Sequence, residues 1–185
     1  MGGMDMKKAM FDTSVYGELV DDEAALGRIA DCINVSFLVF GSSTIREELE
    51  ATPAITLVSR GRFKGLSLRR LLLWLYELFA YKSGGEVKGT DLVEVLALRY
   101  QLMHLKNSKS GMLNDFRIVA AASLQGMELF VSVDKAQLSE RCKSIYLAVN
   151  SHYQLNSPLF VAYTEFKEKP ESYSTPESHT DVRKT

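Results

Sequence analysis

The sequence has few of the residues that build disulfide-bonded, zinc-clustered or histidine-dependent sites. It contains only two cysteines, Cys32 and Cys142, and their separation matches no metal-ligand spacing. Both fall within helical patterns, so we interpret them as small buried hydrophobes of a protein in a reducing compartment. The three histidines, His104, His152 and His179, lie far apart. The sequence therefore gives no support for a Ser-His-Asp or Cys-His nucleophile.

The sequence also lacks a long apolar segment and a strong charge of either sign. Its longest apolar run, Leu71 to Tyr76, is far shorter than the roughly 20 residues that cross a bilayer. Residues 1–8 carry no apolar core of a signal peptide, so we expect a cytoplasmic protein without a membrane segment. The net charge of −1 neither favours nor excludes a nucleic-acid partner, because the local distribution of charge decides that question.

One domain with a tail accounts for the composition. Hydrophobic residues make up 46% of the 185 residues, which is ample for a core. We place the domain at residues 7–168 and interpret residues 54–110 as a helical elaboration within it. Residues 169–185 are rich in Pro, Glu, Ser, Thr and Lys without a core-forming pattern, so we expect a disordered tail.

Strand and helix patterns alternate along the domain. Short apolar runs at Lys8–Asp12 and Asn34–Phe40 predict strands, and a helical pattern follows each of them. The second run is nearly continuous in apolar residues, which is typical of a parallel strand covered on both faces. Further helices are predicted at Leu68–Tyr81 and Asp91–Lys106, while Leu159–Glu168 fits either a strand or a helix. This alternation predicts an α/β fold with a mostly parallel sheet.

The stretch from Leu113 to Asp134 carries the most local information. It opens with Asn114 and Asp115, whose short polar side chains suit a helix start. A run of small apolar residues then predicts a closely packed helix, and Gly126 stands where a left-handed helix end is expected. An apolar strand pattern follows and ends in Asp134, at the edge of an open α/β sheet where ligands bind.

Four carboxylates stand at junctions between the predicted strands and helices. Asp12 and Asp134 each follow an apolar strand. Asp115 opens a helix, and Glu48 lies about one turn into the helix after the second strand. Four acids at one sheet edge would repel one another without a cation, and Mg²⁺ or Mn²⁺ prefers such hard oxygen ligands. The sequence therefore predicts a divalent-metal site, although Asp115 taken alone would be explained as a helix cap.

Each of the four acids lies in a short sequence motif. These are Phe-Asp-Thr-Ser-Val-Tyr (11–16), Ile-Arg-Glu-Glu-Leu (45–49), Asn-Asp-Phe-Arg-Ile-Val-Ala-Ala-Ala (114–122) and Val-Ser-Val-Asp (131–134). In this order they resemble the four acidic motifs of PIN domains, a family of metal-dependent ribonucleases that includes the VapC-type toxins. The resemblance covers roughly residues 8–165, and its third segment, followed by a glycine, a strand and an aspartate, is the most specific part.

The resemblance implies a PIN-like three-layer α/β/α sandwich with a helical insertion, acting as a metal-dependent endoribonuclease on RNA phosphodiester bonds. It implies a catalytic quartet that binds Mg²⁺ or Mn²⁺, formed by Asp12, Glu48, Asp115 and Asp134. Glu48 is preferred over Glu47 because the family's glutamate commonly precedes a leucine. Asn114 and Ser132 are expected to support the metal ligands through hydrogen bonds.

The resemblance also implies partners, and it leaves the biological role open between a toxin and an RNA-processing nuclease. A toxin would pair with an antitoxin protein. PIN domains resembling this one commonly pair with a second copy, and the helix Leu68–Tyr81 is apolar on all sides over part of its length, so we expect it in a homodimer interface. The alternative function is a catalytically silent PIN-like module that binds RNA or acts as a scaffold.

A basic segment predicts an RNA contact. The chain has no acidic residue between positions 50 and 77, and it has three basic residues close together there: Arg60, Arg62 and Lys64. Gly61 and Gly65 flank basic residues of this segment, and Phe63 lies inside it. We expect the segment to follow a phosphate backbone and stack a base. The alternative is a basic loop that is merely solvated.

Overall fold

The chain folds around a parallel sheet. The computed structural model describes residues 6–57, 63–105 and 112–173, in which five strands occur: β1 (Lys7–Phe11), β2 (Phe37–Ser42), β3 (Gly85–Val87), β4 (Leu129–Ser132) and β5 (Leu159–Ala162). Every hydrogen-bonded pair of strands is parallel, and the order across the sheet is β3-β2-β1-β4-β5. The first strand therefore lies at the centre, with its neighbours in the sheet added on either side.

Helices connect the strands and flank the sheet. They are α1 (Thr13–Asp21), α2 (Glu23–Cys32), α3 (Ser43–Ala51), α4 (Leu68–Tyr76), α5 (Asp91–Leu105), α6 (Leu113–Leu124), α7 (Glu140–His152) and α8 (Tyr163–Phe166). A π-helix at Glu77–Tyr81 continues α4, and a 3₁₀-helix at Pro170–Tyr173 follows α8. The predicted α/β class with a parallel sheet between helical layers is confirmed.

Aromatic side chains fill both faces of the sheet. One face carries a group of three rings in contact: Phe11, Phe37 and Phe166. The other face carries a second group: Phe130, Phe160 and Tyr146. The division follows from strand geometry, because Phe130 is aligned with Met10, the neighbour of Phe11, and successive side chains point to opposite faces. The sheet is thus the middle layer of three, and two cores fix it in place.

The segment 54–110 contributes to the sheet as well as adding helices. Its residues Gly85–Val87 form β3, which pairs with the end of β2. The sequence pattern did not predict this strand, because Gly-Glu-Val has no run of apolar residues. Gly84 permits the pairing, since a Cβ at that position would collide with the ring of Phe40, and its N–H donates to the carbonyl oxygen of Val39 at 2.8 Å.

Several predicted elements are shifted or divided. The helical pattern after β1 is two helices, because Asp22 ends α1 and its carboxylate caps α2 by accepting from the N–H of Ala25 at 2.9 Å. The strand predicted from Asn34 begins only at Phe37, since Asn34 has a φ of 63° in the preceding turn. The undecided segment Leu159–Glu168 contains both kinds of element, β5 and then α8.

The stretch that opens with Asn114 and Asp115 has the predicted order of helix, glycine and strand. The helix α6 begins at Leu113, one to two residues earlier than expected, so neither polar residue caps it. The earlier start is explained by Leu113, which packs against the core. Gly126 has the predicted positive φ, 63°, and β4 ends two residues before Asp134.

The first residues of the predicted tail are folded. We expected a disordered tail from residue 169, but Pro170–Tyr173 forms a helix in which Pro170 is buried. The ring of Tyr173 lies 5.5 Å from that of Phe166, a tertiary contact that composition does not report. Residues 174–185 lie outside the described residues. Within the described residues, no helix is long and apolar enough to cross a membrane.

Candidate active site

Three neighbouring strands bring acidic residues to one edge of the sheet. Asp12 directly follows β1, and Asp134 comes two residues after β4. Glu48 lies on α3, which begins directly after β2. Because β2, β1 and β4 are adjacent and parallel, their carboxyl ends lie together. Asp115 joins them from the first turn of α6.

Asp12 is the most enclosed of these carboxylates. Its side chain is buried, and its Oδ2 accepts hydrogen bonds from Ser14 Oγ at 2.6 Å and from Ser132 Oγ at 3.0 Å. Burial raises the pKa of Asp12 above its usual value, the two serine hydroxyls partly offset that rise, and the charge of Glu48 adds to it. Asp12 is therefore fixed in orientation and lies in the field of another acid.

Ser132 links Asp12 to Asp134. Its hydroxyl donates to Asp12 and accepts the backbone N–H of Asp134 at 3.0 Å. The Oδ1 of Asp134 in turn accepts the backbone N–H of Ala136 at 2.7 Å, which holds the carboxylate in the turn after β4. The sequence indicated Ser132 only by its place in the motif, whereas the structure gives it two contacts within the site.

The structure distinguishes Glu48 from Glu47. Glu48 Oε2 accepts a hydrogen bond from Thr13 Oγ1 at 2.5 Å. The charge of Glu48 also raises the pKa of both Asp12 and Asp115. Glu47 is exposed to solvent, and Glu48 is partly buried. Glu48 is therefore the acid that α3 contributes to this edge of the sheet.

Asp115 responds to the combined charge of the group. Burial first, and then the charges of Asp12, Asp134 and Glu48, raise the pKa of Asp115 to about 7. Among the residues that the structure describes, no lysine or arginine forms an ion pair with any of these four carboxylates. The three other acids are thus close enough to oppose the ionisation of Asp115, and no cation of the described residues is paired with them.

The carboxylates are not gathered as tightly as the ligands of one ion. Across residues 6–57, 63–105 and 112–173, no three His, Cys, Asp or Glu side chains lie close enough to hold a metal between them. Asp12, Asp134 and Glu48 nevertheless act on Asp115 through their charges, because charge–charge interactions extend over several Å. The oxygens are hard donors and their charge is uncompensated, which suits a divalent cation.

Two solved structures are similar to this chain over most of its length. One is FitAB bound to the IR36 DNA fragment, which is 16% identical, covers 83% of this chain and 94% of that chain, and has a TM-score of 0.52. The other is VapBC2 from Rickettsia felis bound to a DNA fragment from their promoter, at 11% identity, 84% and 98% coverage and a TM-score of 0.53. No family model and no curated protein matches the chain. The fold is PIN-like.

Not all of the predicted supporting residues lie at the acidic edge of this PIN-like fold. Asn114 is exposed, and its Oδ1 accepts from Arg117 NH1 at 2.9 Å, while Arg117 also binds Glu94. Asn114 thus orients an arginine on the helix surface.

The structure describes only part of the predicted basic segment. Lys64 is exposed, and two members lie outside the described residues: Arg60 and Arg62.

An arginine that the sequence patterns did not indicate fixes the position of α3 in the PIN-like fold. Arg46 Nε donates to Glu86 Oε2 at 2.5 Å, and its NH1 donates to Glu77 Oε1 at 2.9 Å. Its guanidinium lies 5.0 Å from the ring centre of Tyr76 and 5.5 Å from that of Tyr81. The carboxylate partners are 31 and 40 residues further along the chain, so no local pattern could have revealed them.

Proposed function

We propose that the protein is a metal-dependent endoribonuclease that hydrolyses RNA phosphodiester bonds in the cytoplasm. The observation that supports this most directly is the placement of Asp12, Glu48 and Asp134 at the carboxyl ends of three adjacent parallel strands, with Asp115 beside them. Burial and these three carboxylates raise the pKa of Asp115 to about 7. Gathering like charges disfavours the folded state, so such a group is expected where a cation or a charged ligand offsets the repulsion. The group lies at the carboxyl edge of a parallel sheet, where ligands bind in open α/β folds.

The donor atoms fit Mg²⁺ or Mn²⁺. Asp12, Asp115 and Asp134 would hold an ion directly or through water, and Glu48 would hold a second ion or orient the attacking water. A bound ion would neutralise the phosphate and lower the pKa of a water molecule bound to it. This assignment is supported by the all-oxygen donor set and by the absence of ion pairs to these carboxylates among the described residues.

Hydroxyl groups of the chain would keep these carboxylates in place during the reaction. Ser14 and Ser132 both donate to Oδ2 of Asp12, so this oxygen is oriented before a ligand arrives. Thr13 does the same for Glu48. Charged groups that are already oriented need no reorganisation when the reaction begins, which is the main advantage of a protein site over water.

A toxin restrained by an antitoxin protein is the role that we favour. Both similar structures are DNA-bound complexes, one of them on a fragment from their promoter. Together with the resemblance to VapC-type motifs, this supports an antitoxin as a partner of the present chain. An RNA-processing nuclease of the same fold would not need one. A small antitoxin gene beside the gene of this protein, whose product copurifies with it, is the expected finding.

We also propose that the protein forms a homodimer. The helix α4 buries Leu71, Leu72 and Leu75 in the core of its own domain, which leaves less of its apolar surface for a partner than the sequence indicated. Beyond α4, Leu78 and Tyr81 of the π-helix remain exposed and extend the surface available for pairing. Light scattering at micromolar concentration tests this proposal, and a monomer would contradict it.

One observation favours a second function, a silent PIN-like module that binds RNA or acts as a scaffold. The described residues do not bring three carboxylates to metal-binding distance of one another. A protein that no longer catalyses cleavage would retain the fold and the neighbouring acids, but its carboxylates would not need to lie within metal-binding distance of one another. Binding of RNA without cleavage, at any concentration of Mg²⁺ or Mn²⁺, would establish this alternative.

Incubation with structured and unstructured RNAs, with Mn²⁺, with Mg²⁺ or with EDTA, tests the nuclease proposal. We expect cleavage that requires the divalent ion and is lost in Glu48→Gln. Glu47→Gln is the matched control, because it removes the same charge from the neighbouring exposed position. Cleavage that persists in EDTA, or equal losses in the two glutamate variants, would contradict the assignment of this site.

A further inference from the structure

A tryptophan lies at the rim of a surface cavity next to α4. Trp74, the only tryptophan in the chain, is 53% exposed although it belongs to an apolar stretch. It borders a cavity of about 460 Å³ that is also lined by the buried side chains of Phe63 and Leu71 and by Leu66, which is 47% exposed. An indole in this position presents an aromatic surface to whatever enters the cavity.

Arg70 lines the same cavity, and its guanidinium has no hydrogen-bond or ion-pair partner among the described residues. It is exposed and precedes Trp74 by one helical turn, so the two side chains share a face of α4. The other arginines of the described residues each donate a hydrogen bond within the protein: Arg28, Arg46, Arg69, Arg99, Arg117 and Arg141. Arg70 therefore has its donors available for a ligand.

The chain segment that lines the cavity carries basic residues and no acidic ones. No aspartate or glutamate occurs from residue 51 to residue 76, and Lys64, beside the cavity-lining Gly65, is exposed. This charge favours an anionic occupant, and the exposed ring of Trp74 favours one with a flat unpaired base. Single-stranded nucleic acid has a phosphate and a base in every repeating unit, whereas the bases of a duplex are already paired and stacked.

A chain of contacts connects the cavity to the acidic edge of the sheet. Arg69, the neighbour of Arg70, donates to the carbonyl oxygen of Thr52 at 2.6 Å. The hydroxyl of Thr52 donates to the carbonyl oxygen of Glu48 at 3.3 Å, one helical turn back along α3. These contacts join α4, which carries Arg70 and Trp74, to α3, which carries Glu48.

From these observations we propose that the cavity is a stacking site for a nucleotide of single-stranded RNA that flanks the scissile bond. A base stacks on Trp74, and Arg70 binds a phosphate of the same strand. The proposal rests on the proposed nuclease function, because it assigns to the site the part of the substrate that lies outside the reaction centre. It goes further by naming the residues that hold that part and by restricting the substrate to unpaired strands.

A second copy of the chain fits this surface less well. A two-fold interface centred on the cavity places the same patch against itself, which brings the Arg70 and Lys64 side chains of the two copies into one interface. The patch offers no carboxylate from residues 51–76 to pair with them. Like charges brought together in this way disfavour association. Leu78 and Tyr81, which carry the proposed homodimer surface, follow Trp74 by four and seven residues, so the stacking site requires a dimer interface that leaves Trp74 uncovered.

Fluorescence of the single tryptophan reports directly on this site. The probe is a short single-stranded RNA of mixed sequence, titrated in EDTA so that binding is measured without cleavage. We expect quenching of Trp74 by the single strand and little quenching by the same sequence as a duplex. Labelled RNA, followed by anisotropy, should bind Trp74→Ala roughly 5- to 150-fold more weakly, the range that loss of one stacked base produces. Arg70→Ala, which loses a phosphate contact, should also bind more weakly.

Matched variants keep the test informative. Arg99→Ala removes an exposed arginine of α5 outside the cavity and should bind as the parent does. Trp74→Phe retains a ring and should recover part of the affinity that Trp74→Ala loses. Unchanged RNA affinity in both Trp74→Ala and Arg70→Ala would overturn the proposal. So would a dimer that dissociates on Trp74→Ala while RNA affinity is retained, because the surface would then belong to a second copy.

The nuclease proposal can fail separately. If the parent protein shows the expected quenching but never cleaves RNA with Mn²⁺ or Mg²⁺, the stacking site stands and the protein is an RNA-binding module. If the parent cleaves single-stranded RNA while Trp74 shows no quenching and its variants cleave at the parent's KM, the nuclease stands and the stacking site is wrong.

Discussion

Two groups of polar side chains lie inside the PIN-like domain, and they are built in opposite ways. The acidic cluster consists of Asp12, Glu48, Asp115 and Asp134. The hydroxyl–amide cluster consists of Tyr100, Ser123, Asn150 and Ser157. Both bring together residues that are distant in sequence, and both lie against the helices that cover the sheet. They differ in whether the protein itself satisfies them.

The hydroxyl–amide cluster is complete within the protein. Asn150 Nδ2 donates to Ser123 Oγ at 3.0 Å and to Ser157 Oγ at 2.9 Å, and its Oδ1 accepts from the hydroxyl of Tyr100. Asn150 is fully buried. The cluster joins α5, α6 and α7, so its hydrogen bonds fix the helical layer on one face of the sheet. Buried polar groups that are fully paired specify one arrangement of their elements.

The acidic cluster has no compensating charge within the part of the chain that the structure describes. Hydroxyl and backbone donors satisfy some of its oxygens, but no cation of the described residues pairs with it. Burial of polar groups alone therefore does not identify a functional site. The informative property is a buried polar group that the protein leaves uncompensated, because its unfavourable energy is relieved only when something else binds.

Loss of an acid should have the largest effect, and it should fall on activity. Asp12→Asn and Asp134→Asn should each lower RNA cleavage by roughly 100-fold or more, the scale on which one catalytic group acts. Their thermal unfolding should change little, because each substitution removes a charge from a repulsive group while keeping the side-chain shape. Initial rates with Mn²⁺ and melting curves of the same preparations measure both quantities. Undiminished cleavage by either variant would remove that residue from the site.

Disrupting the hydroxyl–amide cluster should lower the stability of the protein and leave its RNA cleavage unchanged. Asn150→Ala removes the residue that accepts from Tyr100 and donates to two serines, so buried polar groups lose their partners. We expect the free energy of unfolding to fall by about 1–3 kcal/mol, with RNA cleavage by the folded protein unchanged. Denaturant unfolding checks this, and Asn156→Ala, at an exposed position, is the control. A loss of activity without a loss of stability would contradict the division between the two clusters.

The two clusters also differ in what the sequence revealed. The acids Asp12 and Asp134 could be predicted because each follows an apolar strand, and strand ends of a parallel sheet meet at one edge. Tyr100, Ser123 and Asn150 could not, because each sits singly in a helical pattern and only the packing of three helices brings them together. Local pattern thus predicted the acids at this edge of the sheet, whose role as a site stays a prediction, and missed the polar centre that joins the helices.

The same distinction explains which parts of the fold were predicted. The strands β1, β2 and β4 contain apolar runs that are visible in any short window. The strand β3 is three residues long and becomes a strand only by pairing with β2. Arg46 was missed for a similar reason, since its partners Glu77 and Glu86 are distant in sequence. Tertiary pairing, not local preference, determines these features.

Ser132→Ala tests the point at which the acidic cluster is tied to the backbone. The substitution removes the donor to Asp12 and the acceptor of the Asp134 N–H. We expect metal affinity or cleavage to fall by roughly 10-fold, at the low end of the effect of residues that orient metal ligands. The measurement is the Mn²⁺ concentration that gives half-maximal cleavage, and this concentration should rise in the variant. Ser36→Ala, on a loop before β2, serves as a control.

The smallest expected effect concerns the contribution of Asp115 to the stability of the folded protein. Burial and the neighbouring acids raise the pKa of Asp115 to about 7, against an ordinary value of 3.8. Between these values the folded protein holds a proton that the unfolded chain has released, so this group makes stability fall as pH rises through that window. Its destabilising effect is complete above about pH 7 and disappears as pH falls towards 4.

Asp115→Asn removes that titration, since an amide carries no charge and keeps nearly the same shape. The metal-free variant should therefore be as stable as the parent, or more so, above pH 7, and its advantage should shrink as the pH is lowered. Mg²⁺ or Mn²⁺ should raise the melting temperature of the parent, because a ligand of the native state stabilises it, and should raise that of the variant less. Thermal melts across pH, with and without metal, measure both effects. If the metal-free variant melts well below the parent at pH 8, Asp115 acts mainly through structural contacts, and the repulsion assigned to the acidic cluster is wrong.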